Sequence, residues 1–373
     1  MVAAPFANRL CEILGIRHPI LLAGMAGGYT TPELVAAVSE AGGLGSFGLS
    51  GLTAEAAADA VERGRRLTAA PIAVNVLLAP PTPPDRRGHD PQPALEPLRR
   101  ELGLPVAPPP PPPPATPRAL VSAGLEAGAS VVSVGMGDPG DVRDLARAAG
   151  VPVVAMASSV EDAVRSVQSG ADVIVAQGSE AGGHRSSFDL PEDGEVPLVG
   201  TFALVPQVVR AVGVPVVAAG AVMDGRGLAA ALALGAQGVQ RGTRFLAAAE
   251  SGAPEGSRRR LREAHDIDTV ITRALSGRPA RGLPNRLTAA LEAAGPPALG
   301  YPRQALASAD LRAAAAAADR PDLIALFAGQ AAGLARDEPA AAEIVERVLA
   351  EAVATVRELA APLDEASRDQ GAR

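Results

Sequence analysis

Short apolar runs rich in valine, isoleucine and alanine alternate with longer alanine-rich segments from the beginning of the chain to about residue 250. The runs have the length of buried strands, and several follow a glycine and a proline that end the preceding helix, as in the two Gly-Val-Pro-Val stretches at 150–153 and 213–216. The predicted strands are Ile20–Ala23, Gly43–Phe47, Ile72–Val76, Val131–Val134, Val153–Ala155, Val173–Ala176, Val216–Ala219 and Gly238–Arg241. Because strands that alternate with helices form parallel sheets, these eight runs predict a closed (β/α)8 TIM barrel.

The segments between the strands carry apolar residues at helical spacing. The clearest of them are Thr31–Ala41, Ala54–Arg66, Val160–Ser169 and Phe202–Val212. From about Gly256 onward the pattern stays helical, shows no further strand signal and is most regular over Ala340–Ala360. We therefore predict an α/β fold in which residues 1–255 form the TIM barrel, and residues 256–373 form a helical C-terminal extension that packs on the barrel and is not an independent domain.

A proline-rich insertion follows the third predicted strand and extends over Pro80–Pro117. It contains the clusters Pro80–Pro84 and Pro108–Pro114, and consecutive prolines form neither a helix nor a central strand. The insertion is predicted to be exposed polyproline II or disordered chain on the surface. A role as a PxxP-type ligand is the alternative.

Composition and charge exclude several classes of protein. The net charge of −7 is the opposite of the basic footprint of a nucleic-acid-binding protein. A single cysteine, Cys11, excludes an intramolecular disulfide and is typical of a reducing compartment. The chain shows no apolar run of the ~20 residues that a membrane-spanning helix needs, and its first residues lack the apolar core of a signal peptide, so we expect a cytoplasmic protein.

Glycines and amides cluster directly after the predicted strands, where TIM barrels carry their active sites. Glycines at the start of a helix let backbone N–H groups approach a phosphate, and the loops after strands seven and eight often form such a site. Gly220 and the pair Gly242 and Thr243 occupy these two loops, with the Thr243 hydroxyl as an additional donor. The alternative is that these glycines only form tight turns.

His184 is the candidate for proton chemistry. It follows two glycines in a predicted loop, and a neutral imidazole can act as a base near neutral pH. A histidine in a loop can equally be a surface residue without a role. The sequence contains no histidine and cysteine cluster at metal-ligand spacing and no G-x-S-x-G motif for acyl transfer, so no metal site is expected.

Several segments, taken in order, resemble the nitronate monooxygenase family, formerly called 2-nitropropane dioxygenases. They are "LLAGMAGG", "NVLL", "AQGSEAGGHR", "VVAAGAVMDGRG" and "GAQGVQRGTRFLAAAE" in the barrel, and "ITRALSGRPARGLPNRL", "YPRQ" and "FAGQAAGLAR" in the extension. The resemblance runs from about Leu10 to Leu359. "AQGSEAGGH" is its most specific segment.

The resemblance implies an FMN-dependent enzyme that oxidises alkyl nitronates, such as propionate 3-nitronate, with O2 to a carbonyl compound and nitrite. It also implies roles for individual positions. His184 matches the active-site histidine, which stabilises the anionic nitronate or takes a proton from a neutral nitroalkane, and Tyr301 matches a tyrosine of the substrate pocket. The positions implied to bind FMN are Gly24, Met25 and Ala26 at the flavin ring, Asn75, Gln177, Gly182 and Gly183 elsewhere on the flavin, and Gly220, Gln240, Gly242 and Thr243 at the ribityl phosphate.

This chain departs from the family pattern in three places. Ala221 follows Gly220 where the family usually has a second glycine, and Ser186-Ser187 stands where Gly-Thr is common. The proline-rich insertion lies where the family often supplies pocket residues, which leaves the substrate open.

Two other functions remain as alternatives to the monooxygenase. The first is an FMN- and NAD(P)H-dependent enoyl-acyl-carrier-protein reductase, which shares the barrel and an "EAGGH" histidine loop. The second is a flavin-binding protein without catalysis. The expected partners are a small-molecule substrate and O2, while the oligomeric state is not readable from the sequence.

Overall fold

The computed structural model of the chain describes residues 5–80, 88–106, 108, 114–190, 196–297 and 299–371, with side chains as far as residue 362. Its strands are β1 Ile20–Leu22, β2 Gly45–Gly48, β3 Ile72–Leu77, β4 Val131–Gly135, β5 Val153–Ala157, β6 Val173–Gln177, β7 Gly183–His184, β8 Val216–Ala219, β9 Gly238–Arg241, β10 Val270–Thr272 and β11 Ala280–Gly282. Its α-helices are α1 Arg9–Leu14, α2 Pro32–Glu40, α3 Ala54–Leu67, α4 Gln92–Glu101, α5 Pro117–Glu126, α6 Gly140–Ala149, α7 Val160–Gln168, α8 Thr201–Ala211, α9 Gly225–Ala233, α10 Thr243–Leu246, α11 Glu255–Arg262, α12 Arg286–Ala293, α13 Arg303–Leu306, α14 Ala309–Ala317 and α15 Ala341–Gly371.

Eight parallel strands form a closed barrel. Their hydrogen-bonded order is β1-β9-β8-β6-β5-β4-β3-β2, and a parallel bridge between Leu21 and Leu44 joins the two ends of this series. The strands are buried on both faces, which is why they read as continuous apolar runs rather than as alternating ones. The predicted TIM barrel is confirmed, with each predicted strand within two residues of the observed bounds.

Helix α1 packs at the end of the barrel opposite to the active-site end expected for this fold. Its buried residues Leu10 and Leu14 form one apolar cluster with inward-facing strand residues such as Leu21 and Val131. The Asn8 side chain caps the helix, and Gly15 ends it in the left-handed conformation at φ 68°. Burial of each leucine contributes roughly 1.5–3 kcal/mol to this contact.

The segment between β9 and α15 forms a cap over the barrel. The expectation that this region contains no strand is wrong, because β10 and β11 form an antiparallel hairpin that also pairs with β7. These strands have only two or three residues, and β7 lies far from β11 in sequence, so no apolar run in the sequence indicates them. The cap therefore contributes a small second sheet that carries the segment of His184.

The described part of the proline-rich insertion contains a helix, α4, that was not predicted. Leu95 and Leu98 of this helix pack with Leu287, Leu291 and other apolar residues of the cap. Most of both proline clusters, 81–84 and 109–113, lies outside the described residues, so the polyproline prediction is not tested there. The prediction of exposed polyproline II or disordered chain is therefore wrong for α4, which is a helix packed on the cap.

Helix α15 completes the ring of helices around the barrel. It packs against α9 and α2, and its backbone comes so close to α9 that a Cβ at Gly225 would lie 2.3 Å from the Ala352 nitrogen. In the sequence, α15 is thus separated from β9, the last barrel strand, by the entire cap. The division of the chain at residue 255 stays a prediction. Within the described residues, none of the helices is long and apolar enough to cross a lipid bilayer.

Candidate active site

A cavity of about 240 Å³ lies at the carboxyl ends of the barrel strands, where the cap covers them. Its lining includes all of the residues expected to bind a cofactor and the candidate base. They are Gly24, Met25, Ala26, Asn75, Gln177, Gly182, Gly183, His184, Gly220, Gln240, Gly242 and Thr243. Tyr301 does not line the cavity itself but lies against the His184 ring, with ring centroids 6.0 Å apart in an edge-to-face arrangement.

The loop after β1 and the end of β3 form one wall. A Cβ at Gly24 would lie 2.4 Å from the Asn75 Cβ, so glycine is required there for the two strands' ends to approach. Asn75 is buried, and its amide nitrogen donates a 2.9 Å hydrogen bond to the Ser133 hydroxyl on β4. This bond holds the Asn75 side chain at the cavity wall.

Gln177, the last residue of β6, organises the loop that carries His184. Its Nε2 donates to the His184 carbonyl at 2.9 Å, and its Oε1 accepts from the Ser186 N–H at 2.9 Å. The Ser186 hydroxyl in turn donates to the Met156 carbonyl and accepts from the Met136 N–H, both at 2.9 Å. The departure from the family pattern at Ser186 thus supplies a hydroxyl that links three strand ends.

The glycine pair before His184 allows the cap to close on this loop. A Cβ at Gly182 would lie 2.6 Å from the Ala328 carbonyl carbon and 2.7 Å from the Gly329 nitrogen. Gly183 has φ 81°, which side chains rarely adopt, and pairs with Arg281 of β11. The loop is therefore held between the barrel and the cap by backbone contacts that only glycine permits.

The loops after β8 and β9 meet at the part of the cavity expected to bind a phosphate. Gly220 has φ 114° and Ala221 has φ 59°. The departure from the family pattern at Ala221 therefore places an alanine in the left-handed region. Gly242 precedes α10, and a Cβ there would meet nothing nearer than 3.4 Å. The Thr243 hydroxyl accepts a 3.0 Å hydrogen bond from the Gly329 N–H, which leaves its own proton available to a ligand.

The walls are largely apolar and include the aromatic side chains of Tyr29 and Phe327. Met25, Met136, Met156 and Met223 all line the cavity, and these are all the methionines in the described part of the chain. Methionine side chains are polarizable and adapt to a planar ring. The glycine backbone at Gly242 leaves space for a phosphate beside the Thr243 hydroxyl, so the residues present fit a flavin mononucleotide.

His184 lies on β7, where the cavity meets the cap. Its ring contacts Phe327 at a centroid distance of 5.3 Å in addition to Tyr301, and its Nε2 is 2.8 Å from the Ser276 hydroxyl. Burial, together with the positive charges of Arg278 and Arg312, lowers the pKa of His184 to about 4. The imidazole is therefore neutral at physiological pH.

Two of the surrounding cations bind backbone carbonyls instead of carboxylates. The Arg278 guanidinium donates to the Ser187 carbonyl at 2.8 Å, and Arg312 donates to the Ala305 carbonyl at 2.7 Å. Among the described residues neither arginine forms an ion pair, so the region near His184 is electropositive. Such a region attracts an anionic substrate.

Sequence reasoning assigned no role to Ser276, Arg278, Arg312 or Phe327. Ser276 lies 92 residues after His184. Ser276 and Arg278 belong to the connection between β10 and β11, while Arg312 and Phe327 come from later parts of the cap. Ser276, Arg278 and Phe327 stand in segments that carry the family resemblance, "ITRALSGRPARGLPNRL" and "FAGQAAGLAR", and that was the only signal available for them.

A closed α/β barrel with a deep cavity at its carboxyl end, glycine-lined loops and one neutral histidine defines the class of this protein, a barrel enzyme that acts on a small molecule. The comparisons with known proteins give the family. The model of the family described as nitronate monooxygenase matches residues 7–351, and the chain belongs to this family.

The individual relatives agree with this assignment. A probable nitronate monooxygenase of Staphylococcus aureus (strain Newman) is 38% identical over 340 residues, which cover 89% of this chain and 94% of the relative. The structure of a nitroalkane oxidase from Streptomyces ansochromogenes superposes with a TM-score of 0.85 at 36% identity, over 94% of this chain and 100% of the other. The structure of FabK from Thermotoga maritima superposes with a TM-score of 0.74 at 32% identity, over 95% and 98%. The chain is accordingly a flavin-dependent oxidoreductase of a family that oxidises nitronates.

Proposed function

We propose that this chain is an FMN-dependent monooxygenase that oxidises alkyl nitronates, such as propionate 3-nitronate, with O2 to a carbonyl compound and nitrite. Membership of the family supports the reaction class. The single observation that carries the proposal is the neutral His184 imidazole in an electropositive region on the wall of a cavity that fits a flavin.

The cavity residues have separate tasks toward FMN. When bound, the flavin supplies the electron-transfer chemistry, while the protein supplies position and electrostatics. Gly24, Met25 and Ala26 would contact the ring, Asn75, Gln177, Gly182 and Gly183 would hold it from the other strand ends, and Gly220, Gln240, Gly242 and Thr243 would bind the ribityl phosphate.

His184 acts on the substrate in the neutral state. A neutral imidazole can take the proton of a nitroalkane, and it carries no charge that needs a carboxylate partner. The positive charges of Arg278 and Arg312 stabilise the negative charge of a nitronate in the same region. Phe327 and Tyr301 pack on the ring and restrict its rotation.

The test is anaerobic mixing of the purified, FMN-loaded protein with propionate 3-nitronate, and separately with NADPH, while the flavin absorbance is followed. We expect bleaching with the nitronate and none with NADPH. After air is admitted, nitrite and an aldehyde should form as O2 is consumed. Bleaching with NADPH alone would support the enoyl-acyl-carrier-protein reductase instead, and no change with either reagent would support a flavin-binding protein without turnover.

The variant His184→Asn separates binding from catalysis. We expect it to retain FMN and to lose most of the nitronate turnover, because the flavin contacts stay while the imidazole is removed. The FMN content is measured from the absorbance of the purified variant. Unchanged kinetics would remove His184 from the mechanism.

A further inference from the structure

The Ser276 hydroxyl is placed beside His184 by the β10–β11 hairpin of the cap. Ser276 lies in the connection between these strands and is 3% exposed. Strand β11 pairs with β7, so that Ala280 lies opposite His184, while the connection brings the Ser276 Oγ within 2.8 Å of the His184 Nε2. One hairpin therefore fixes both the backbone and the ring of this histidine.

The contacts of Ser276 determine which nitrogen of His184 carries the proton. The hydroxyl donates to the Arg278 carbonyl at 3.1 Å and accepts from the Arg278 N–H at 3.3 Å. A serine hydroxyl has one proton and two lone pairs, and the carbonyl can only accept. All the groups are satisfied together when the His184 Nε2–H donates to the second lone pair of Ser276.

We propose that Ser276 is a positioning residue for His184, and that its hydroxyl accepts a hydrogen bond from Nε2–H and thereby leaves the Nδ1 lone pair to receive the proton of a neutral nitroalkane, which becomes the nitronate. The inference rests on the proposed role of His184 as the group that contacts the substrate. Among the described residues none forms a hydrogen bond with Nδ1, whereas the ring lines the cavity.

A neutral orienting group suits the charge of this site. Catalytic histidines are often oriented by a carboxylate, which favours the imidazolium and adds a negative charge. The groups that face His184 from neighbouring elements are Arg278 of the hairpin, Arg312 of α14 and the neutral phenol of Tyr301. Because Ser276 carries no charge, it orients the ring without cancelling the positive potential that attracts an anionic nitronate.

Kinetics with a neutral nitroalkane as substrate test the positioning role through the split between kcat and KM. We expect Ser276→Ala to lower kcat by about tenfold or more, with KM and FMN affinity within about twofold of the unsubstituted protein, because the unpaired Nε2–H leaves the ring free to change its tautomer. Ser276→Thr keeps a hydroxyl and should restore most of kcat. Ser257→Ala is the matched control, since Ser257 is a buried serine of α11 without a hydrogen-bond partner among the described residues.

The tautomer itself is measured by two-bond ¹H–¹⁵N correlation on the FMN-loaded protein labelled with ¹⁵N-histidine. The chain has four histidines, and the spectrum of His184→Asn identifies the signal of His184 by its loss. We expect the proton on Nε2 in the unsubstituted protein and a mixture of tautomers in Ser276→Ala. A proton on Nδ1 in the unsubstituted protein, or unchanged kcat in Ser276→Ala, would overturn the inference. The spectrum decides the tautomer even if the protein does not oxidise nitronates, so the two proposals fail separately.

Discussion

Removal of the buried imidazole by His184→Asn changes how the stability of the protein depends on pH. Folding lowers the pKa of His184 from 6.5 to about 4, first through burial and then through the charges of Arg278 and Arg312. The unfolded chain therefore binds one more proton than the folded chain between these two values. The free energy of unfolding falls as the pH decreases through this window, and the loss is absent above about pH 6.5.

The magnitude follows from the two pKa values. One pKa unit corresponds to about 1.4 kcal/mol, so the complete window is worth about 3 kcal/mol, of which about 2 kcal/mol is lost by pH 5. His184→Asn has no imidazole to protonate at this position. Relative to the unsubstituted protein it should gain about 2 kcal/mol between pH 7.5 and pH 5.

The assay is urea unfolding followed by circular dichroism at pH 7.5, 6.0 and 5.0, with the same flavin saturation in every sample. His265→Asn is the control, because His265 is exposed and its substitution removes no buried imidazole. An equal pH dependence of the unsubstituted protein and His184→Asn would refute the reasoning. It would mean that the His184 ring is protonated as easily in the folded chain as in the unfolded one.

Two further predictions concern the loops of the cavity. Ala221→Gly should raise the free energy of unfolding by up to about 1 kcal/mol, because it removes the strain of an alanine at φ 59°; a lower melting temperature would contradict this. Gly182→Ala should weaken FMN binding and destabilise the fold by more than about 1 kcal/mol, because its Cβ would lie 2.6 Å from the Ala328 carbonyl carbon. Flavin titration measures the FMN affinity, and thermal unfolding measures the stability. Unchanged values would show that the cap can shift to accept the added Cβ without loss of either.

The barrel could be predicted from the sequence because each of its strands is signalled locally. Most of the strands are short apolar runs, and Gly-Val-Pro-Val stretches mark where two of them begin. Parallel strands buried on both faces leave a strong pattern, and their carboxyl ends meet at one rim. The same rule predicted that Asn75, Gln177 and Gly242 would lie around one cavity, where the structure places them.

The cap could not be predicted in this way because its contacts are between distant segments. Strands β10 and β11 are too short to produce a pattern, and β7 has only two residues. The approach of Ser276 to His184 depends on how the β10–β11 hairpin folds back onto β7. The sequence of the hairpin alone, or of β7 alone, does not indicate this pairing. The packing of α4 against Leu287 likewise depends on apolar side chains of both α4 and α12. The pattern within one of these helices does not identify the other helix as its partner.

The position of α15 has a consequence for the order in which the protein can fold during synthesis. The ribosome completes all eight barrel strands, α9 and the cap before it makes α15, yet this helix packs against both α9 and α2. Ile344, Val345 and Val348 of this helix are buried in the finished protein. A nascent chain that ends before Ala341 therefore leaves an apolar strip of the barrel uncovered, and the last 31-residue helix acts as the closing step of folding.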